Sequence, residues 1–220
     1  MITRVFWGTI YALAIFWICN AETWSPLILI FPFIGICLEF IRMKKLKTLE
    51  KLTGISYVIL AGCSIWSISE LSNNNNNNNT SIIFIIFVLI WISDSMAYIG
   101  GRFLGRIPLA IKLSPKKTWE GAIIGFLFTF FIGLFGLVEI DLFSEFKSIK
   151  SWQRISWALP LTIGIVAPIG DLIGSKFKRS AEVKDSGIFL PGHGGFLDRF
   201  DSFLFSVIVV AVFQSYILIP

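Results

Sequence analysis

Residues Ile82–Gly100 read IIFIIFVLIWISDSMAYIG, a run in which Asp94 is the only charged side chain. A helix rises 1.5 Å per residue and the hydrocarbon core of a bilayer is about 30 Å thick, so roughly 17 to 25 mostly apolar residues cross it. The run meets that length and lacks the periodic apolar stripe of a soluble helix. Six further runs surround it, approximately Val5–Cys19, Trp24–Ile41, Leu52–Ser69, Gly121–Ile140, Ile155–Ile173 and Phe203–Ile219. The expected fold is all-α, a polytopic transmembrane helical bundle of about seven spans. No small-x-small cleavage site follows the first run before Glu22 and Trp24, so it is read as a retained span.

Composition agrees. Of 220 residues, 55% are hydrophobic and 15% charged, against roughly 25% charged in soluble domains. The net charge of +5 would suit nucleic acid in a soluble protein, but the positions of the charges point elsewhere. Arg4, Arg42, Lys44, Lys45, Lys47, Lys51, Arg102, Arg106, Lys112, Lys116, Lys117, Lys176, Lys178, Arg179, Lys184 and Arg199 fall on one side of the expected bundle. Lys147, Lys150 and Arg154 fall on the other. Cytoplasmic loops retain positive charge, which places the N-terminus in the cytoplasm and the C-terminus outside. The partner expected is the lipid bilayer and not nucleic acid.

The three cysteines, Cys19, Cys37 and Cys63, lie in apolar runs without C-x-x-C spacing, which indicates neither disulfides nor a zinc cage. His193 is the single histidine, so metal chemistry within one chain would use oxygen ligands.

Asp94 and Asp171 stand inside apolar runs, where an ionised side chain costs roughly 2.5–3.5 kcal/mol to insert at mid-span. Each needs a polar cavity, a cation or an ion-pair partner, such as Arg102 for Asp94. Beyond Asp171 runs DLIGSKFKRSAEVKDSGIFLPGHGGFLDRFD, through Asp201. Asp198 and Asp201 are spaced i, i+3, so a helix starting there puts both carboxylates on one face. Joined by Asp171 they would suit Mg²⁺, although acids at a helix start also serve the helix dipole. Lys178, Arg179, Lys184 and Arg199 supply cations for phosphate oxygens, and carboxylates for a metal beside such cations are what phosphoryl and nucleotidyl transfer need. Pro191-Gly192-His193-Gly194-Gly195 could bring backbone amides close to an anion. The loop SPKKTWEG, Ser114–Gly121, offers Lys116, Lys117 and Thr118 to phosphates, with Glu120 to orient a lysine. It also reads as a helix start with Ser114 as cap and Pro115 just inside. A transporter using Asp94 and Asp171 as an ion path would spread polar residues over several spans and both faces; here they gather on one side. A polyprenol or phytol kinase is the closer alternative, and the glycine-rich segment speaks against it.

Ser175, Lys178-Arg179, Lys184-Asp185, Pro191–Gly195, Asp198-Arg199 and Asp201 together resemble the signature of the phosphatidate cytidylyltransferase family, the CDP-diglyceride synthetases. DSMAYIGGRFLGR and SPKKTWEG resemble further family segments in the same order. The resemblance implies a CTP:phosphatidate cytidylyltransferase that makes CDP-diacylglycerol and pyrophosphate with Mg²⁺ on Asp171, Asp198 and Asp201, a second cation being left open. The catalytic set it implies is Asp171, Asp198, Asp201 and Lys184. The substrate-binding set is Lys116, Lys117, Thr118, Ser175, Lys178, Arg179, His193, Gly194, Gly195, Arg199 and Asp94. CTP and phosphatidic acid are the expected substrates, and family members are often dimers, which implies a homodimer. Gly174 stands where the family often has Glu, and the N-terminal region is shorter than usual. The expected organisation is one integral membrane domain, 1–220, with N-terminal spans in 1–72 and an Asn-rich outer loop at 73–80. The catalytic portion is 81–220, with cytoplasmic loops 101–120 and 174–202, in the cell (inner) membrane with its active site facing the cytoplasm.

Overall fold

The computed structural model describes residues 30–74, 79–138, 152–187 and 194–213. Among the described residues there are six helices and one hairpin: α1 (Ile30–Arg42), α2 (Thr48–Asn74), α3 (Asn79–Leu104), β1 (Pro108–Ala110), β2 (Ser114–Thr118), α4 (Trp119–Val138), α5 (Trp152–Ser180) and α6 (Leu197–Val212). Among the described residues, four segments are long and apolar enough to cross a membrane: Thr48–Glu70, Ile82–Leu104, Trp119–Gly136 and Ser156–Ser180. They match four of the expected runs. Val5–Cys19 lies outside the described residues, and only the later part of Trp24–Ile41 and the earlier part of Phe203–Ile219 are described, as α1 and α6.

Three expectations need correction. The chain is mostly helical but not all-α, because Pro108–Ala110 and Ser114–Thr118 pair as an antiparallel two-stranded sheet. The segments expected as loops 101–120 and 174–202 include helix at their edges: α3 runs to Leu104, α4 starts at Trp119, α5 runs to Ser180, and α6 starts at Leu197. Continuous i→i−4 hydrogen bonding leaves fewer polar groups unpaired than an open loop would, which favours such extension at a membrane boundary. The Asn-rich connector is likewise shorter than 73–80, since α2 includes Asn74 and α3 begins at Asn79.

α3 packs on α4, α4 on α5 and α5 on α6, while α2 lies against α1 and α6. Aromatic residues fill the centre: Phe87 stacks on Phe203 with ring centroids 4.0 Å apart, and Phe200 meets Phe87 edge-on at 5.9 Å. Two G-x-x-x-G pairs bring backbones together, as small residues do between membrane helices. Gly121 and Gly125 set α4 on α3: a Cβ at these positions would lie 2.7 Å from the Ala97 carbonyl oxygen and 2.8 Å from that of Ser93. Gly170 and Gly174 set α5 on α6, where a Cβ at Gly174 would lie 2.5 Å from the Cβ of Asp201. The first approach brings Asp94 beside the hairpin and the second brings Asp171 beside Asp201. On the outer face of α4, Phe131 and Phe135 are exposed, as a lipid-facing surface requires.

Candidate functional site

α4 does not start at Ser114. Residues 114–118 are extended, and Thr118 caps the helix, its Oγ1 accepting the Gly121 N–H at 3.2 Å. The hairpin is fastened at three points. The Glu120 carboxylate accepts the backbone N–H groups of Arg106 and Ile107 at 3.1–3.2 Å, a backbone-binding role in place of the expected lysine partner. The Trp119 N–H reaches the Ile107 carbonyl at 3.0 Å. Arg179, at the end of α5, donates through Nε to the Leu113 carbonyl at 3.2 Å and through Nη1 to that of Val183 at 3.0 Å. Arg179 therefore acts here as a strut between α5 and the hairpin.

This fastening holds Lys116 and Lys117 over a cavity of about 410 Å³ between α3, α4 and α5. Asp94, Arg102, Thr118 and Asp171 share its wall, so it presents both signs of charge between apolar helices. Asp94 is exposed to this space and forms no ion pair with Arg102. The Lys117 ammonium pairs with Asp171 Oδ2, and Asp171 Oδ1 accepts from the buried Ser175 hydroxyl at 3.4 Å.

A second cluster adjoins it. Asp198 and Asp201, on the first turns of α6, both face Lys178, whose Nζ lies 2.7 Å from Asp198 Oδ1 and 3.5 Å from Asp201 Oδ2. The i, i+3 spacing does put both on one face. Asp198 Oδ2 accepts the Ser186 N–H (2.8 Å), the Ser186 hydroxyl (3.0 Å) and the Gly195 N–H (2.9 Å). Burial raises the Asp198 pKa, but the hydrogen bond and charge of Lys178 and the two backbone donors outweigh it, so the carboxyl lies below its usual range. Gly194 has φ +84°, a left-handed conformation that favours glycine; it turns the chain so that the Gly195 amide faces Asp198. The glycine-rich turn thus spends that amide on a carboxylate. Lys184 and Arg199 are exposed, and His193 lies outside the described residues.

α5 ends just past Lys178 in a Schellman-type turn, with Val183 N–H bonded to the Lys178 carbonyl and Glu182 N–H to that of Arg179, both at 2.9 Å. Glu182 takes the left-handed position, φ 55°, and pairs with Lys45 from the α1–α2 turn.

Among the described residues no three acidic, histidine or cysteine side chains converge closely enough to cage a metal ion as they stand. The expected trio is divided, Asp171 ending on Lys117 and Asp198 and Asp201 on Lys178. The donor set still fits a hard divalent cation, being all oxygen. The charges of Asp94, Asp171 and Asp201 lie within electrostatic reach of one another, and the Lys117 and Lys178 ammonium groups neutralise part of that charge.

One residue of this site has no counterpart in the sequence reading. Glu39, on α1, is buried and accepts from Ser186, Phe196 and Leu197. Its signal was present, an acid inside an apolar run, the same anomaly that marks Asp94.

Comparison with known proteins adds to this geometry. Residues 1–217 match the cytidylyltransferase family. A phosphatidate cytidylyltransferase of Synechocystis sp. is 42% identical over 127 residues, covering 58% of this chain and 41% of that protein. One from Staphylococcus saprophyticus is 40% identical over 119 residues, 54% of this chain and 43% of that protein. The chloroplastic phosphatidate cytidylyltransferase 5 of Arabidopsis thaliana is 44% identical over 124 residues, 54% of this chain and 28% of that protein. The matched stretches thus span less than half the length of these curated relatives.

Proposed function

The chain belongs to the cytidylyltransferase family, and we propose that it transfers the cytidylyl group of CTP to phosphatidic acid, forming CDP-diacylglycerol and releasing pyrophosphate. The observation that carries this reading is the cavity of about 410 Å³, where Lys116, Lys117 and Arg102 face Asp94 and Asp171 between apolar helices. A lipid phosphate can enter such a space from the bilayer while its acyl chains stay among apolar side chains. The names of the relatives support the same substrates.

In the proposed reaction an oxygen of the lipid phosphate monoester forms a bond to the α-phosphorus of CTP, and the bond from that phosphorus to the bridging oxygen of pyrophosphate breaks. The attacking group is already an anion, so no protein nucleophile is required. Lys116 and Arg102 bind phosphate oxygens, and Lys117 exchanges Asp171 for a phosphate as substrate arrives. Lys178 remains with Asp198 and Asp201 and keeps their carboxylates oriented. Asp171 and Asp201, with Asp198 beside them, would hold Mg²⁺, which supplies neutralisation of the triphosphate charge. Lys184, Arg199, His193, Gly194 and Ser175 complete the proposed substrate shell, as the signature implies. We place the site on the cytoplasmic face of the cell membrane, in a bundle of about seven spans whose N-terminus is cytoplasmic and which forms a homodimer, on the basis of charge segregation and family resemblance.

The test uses purified protein with phosphatidic acid, Mg²⁺ and labelled CTP. Label from α-³²P-CTP should enter the lipid phase and label from γ-³²P-CTP should not; transfer of γ-label alone would make the protein a lipid kinase.

A further inference from the structure

Glu39 sits near the end of α1 with 7% of its surface exposed, an expensive place for a carboxylate within an apolar helix. Its Oε1 accepts the Phe196 N–H at 2.7 Å; its Oε2 accepts the Leu197 N–H at 3.0 Å and the Ser186 hydroxyl at 2.7 Å. The first N–H groups of a helix lack intrahelical partners, and Phe196, the N-cap of α6, provides no side-chain acceptor. Glu39 therefore caps α6 from a separate helix, where its negative charge also suits the helix dipole. The slot it enters is kept open by glycine: a Cβ on Gly187 would lie 2.8 Å from Glu39 Oε1, and one on Gly195 would lie nearer still.

Ser186 lies between two carboxylates. Its hydroxyl is 2.7 Å from Glu39 Oε2 and 3.0 Å from Asp198 Oδ2, and its N–H donates to Asp198 Oδ2. One hydroxyl carries one proton, so the partner chosen at Glu39 alters what Asp198 receives. Asp198 and Asp201 occupy the first turns of the helix that Glu39 caps, and the direction of both carboxylates depends on where that helix begins.

We infer that Glu39 is a positioning residue: it fixes the start of α6 and, through Ser186, the orientation of Asp198, without itself touching substrate. The kinetic consequence rests on the proposed cytidylyl transfer, whereas the structural consequence rests on geometry alone. A plain structural cap would lower stability and leave the turnover of folded protein unchanged.

The experiment compares the full chain with Glu39→Gln, Ser186→Ala, the double variant and Glu39→Asp, in detergent with phosphatidic acid, CTP and Mg²⁺. Glutamine must present an amide NH₂ toward groups that are themselves donors. We expect kcat per folded protein to fall about 10- to 100-fold in Glu39→Gln, the cost of a small misplacement, with KM for CTP within about threefold. Ser186→Ala should fall comparably, the double variant should be no worse than the poorer single variant, and Glu39→Asp should recover part of the loss. Hydrogen–deuterium exchange at Gly195–Leu197 should quicken in Glu39→Gln. Unchanged kcat, losses that multiply in the double variant, or unchanged exchange would each overturn the inference. If Glu39→Gln fails to fold, an unchanged kcat in Ser186→Ala overturns it. If the unaltered protein transfers no cytidylyl group, the proposed function fails and exchange decides only the capping of α6: faster exchange at Gly195–Leu197 upholds that cap, and unchanged exchange rejects the inference.

Discussion

Asp198 and Asp171 are both aspartates beside a lysine, on helices packed against each other, yet their surroundings differ in kind. Asp198 has every oxygen committed: Lys178 holds one, and Ser186 and Gly195 saturate the other. Asp171 faces the cavity, paired with Lys117 at a side-chain exposure of 28% for the aspartate and 27% for the lysine. The Lys178–Asp198 pair is far more enclosed, at 11% and 9%. Desolvated, multiply bonded charge resists rearrangement, whereas a partly exposed pair exchanges partners at lower cost. One carboxylate is locked into its surroundings, and the other opens on the cavity where we propose substrate binds.

Breaking each pair in turn separates the two roles. Asp198→Asn should have the largest effect, because it leaves Lys178 short of a buried partner: a stability loss of about 3–5 kcal/mol, read as a lowered melting temperature by tryptophan fluorescence, together with loss of the proposed cytidylyl transfer. The protein should remain in the membrane fraction, since its apolar helices are untouched. Asp171→Asn should reduce transfer by about 10²–10³-fold, the scale seen when one preorganised electrostatic group is removed, yet cost only about 0–1 kcal/mol of stability. Equal destabilisation by the two variants would erase the distinction between them. Gly174→Ala presses a methyl group toward the Asp201 Cβ. Overpacking of this kind costs about 1–3 kcal/mol, so melting temperature and transfer should fall together. Lys117→Ala should be mildest, raising KM for CTP about tenfold, equivalent to the loss of one charge-assisted contact, with kcat nearly unchanged in a substrate titration.

The membrane helices were legible because their signal is local and additive: an apolar run of sufficient length declares itself wherever it lies. Asp94 and Asp171 were legible for the complementary reason, as charges in such runs. Glu39 carries that same anomaly inside Trp24–Ile41, but no motif adjoins it there; its partners Ser186, Phe196 and Leu197 lie far along the chain. Ser114-Pro115 read as a helix start because that dipeptide suits one. The strand exists because Ser114–Thr118 pairs with Pro108–Ala110, and such pairing outweighs local preference. Arg179 looked like a phosphate ligand by its company in sequence, but the carbonyls of Leu113 and Val183 claim its donors.

By itself the sequence determined four membrane-length helices and the identity of the charged groups in and beside them, since burial of apolar side chains depends on composition along each segment. Tertiary structure alone decided which cation meets which carboxylate. That pairing depends on how closely helices approach at Gly121 and Gly125 and at Gly170 and Gly174, and on an acid from α1 reaching the start of α6. Several lysines and aspartates are chemically interchangeable in a list of residues; only distance and desolvation distinguish a locked pair from one open to a ligand.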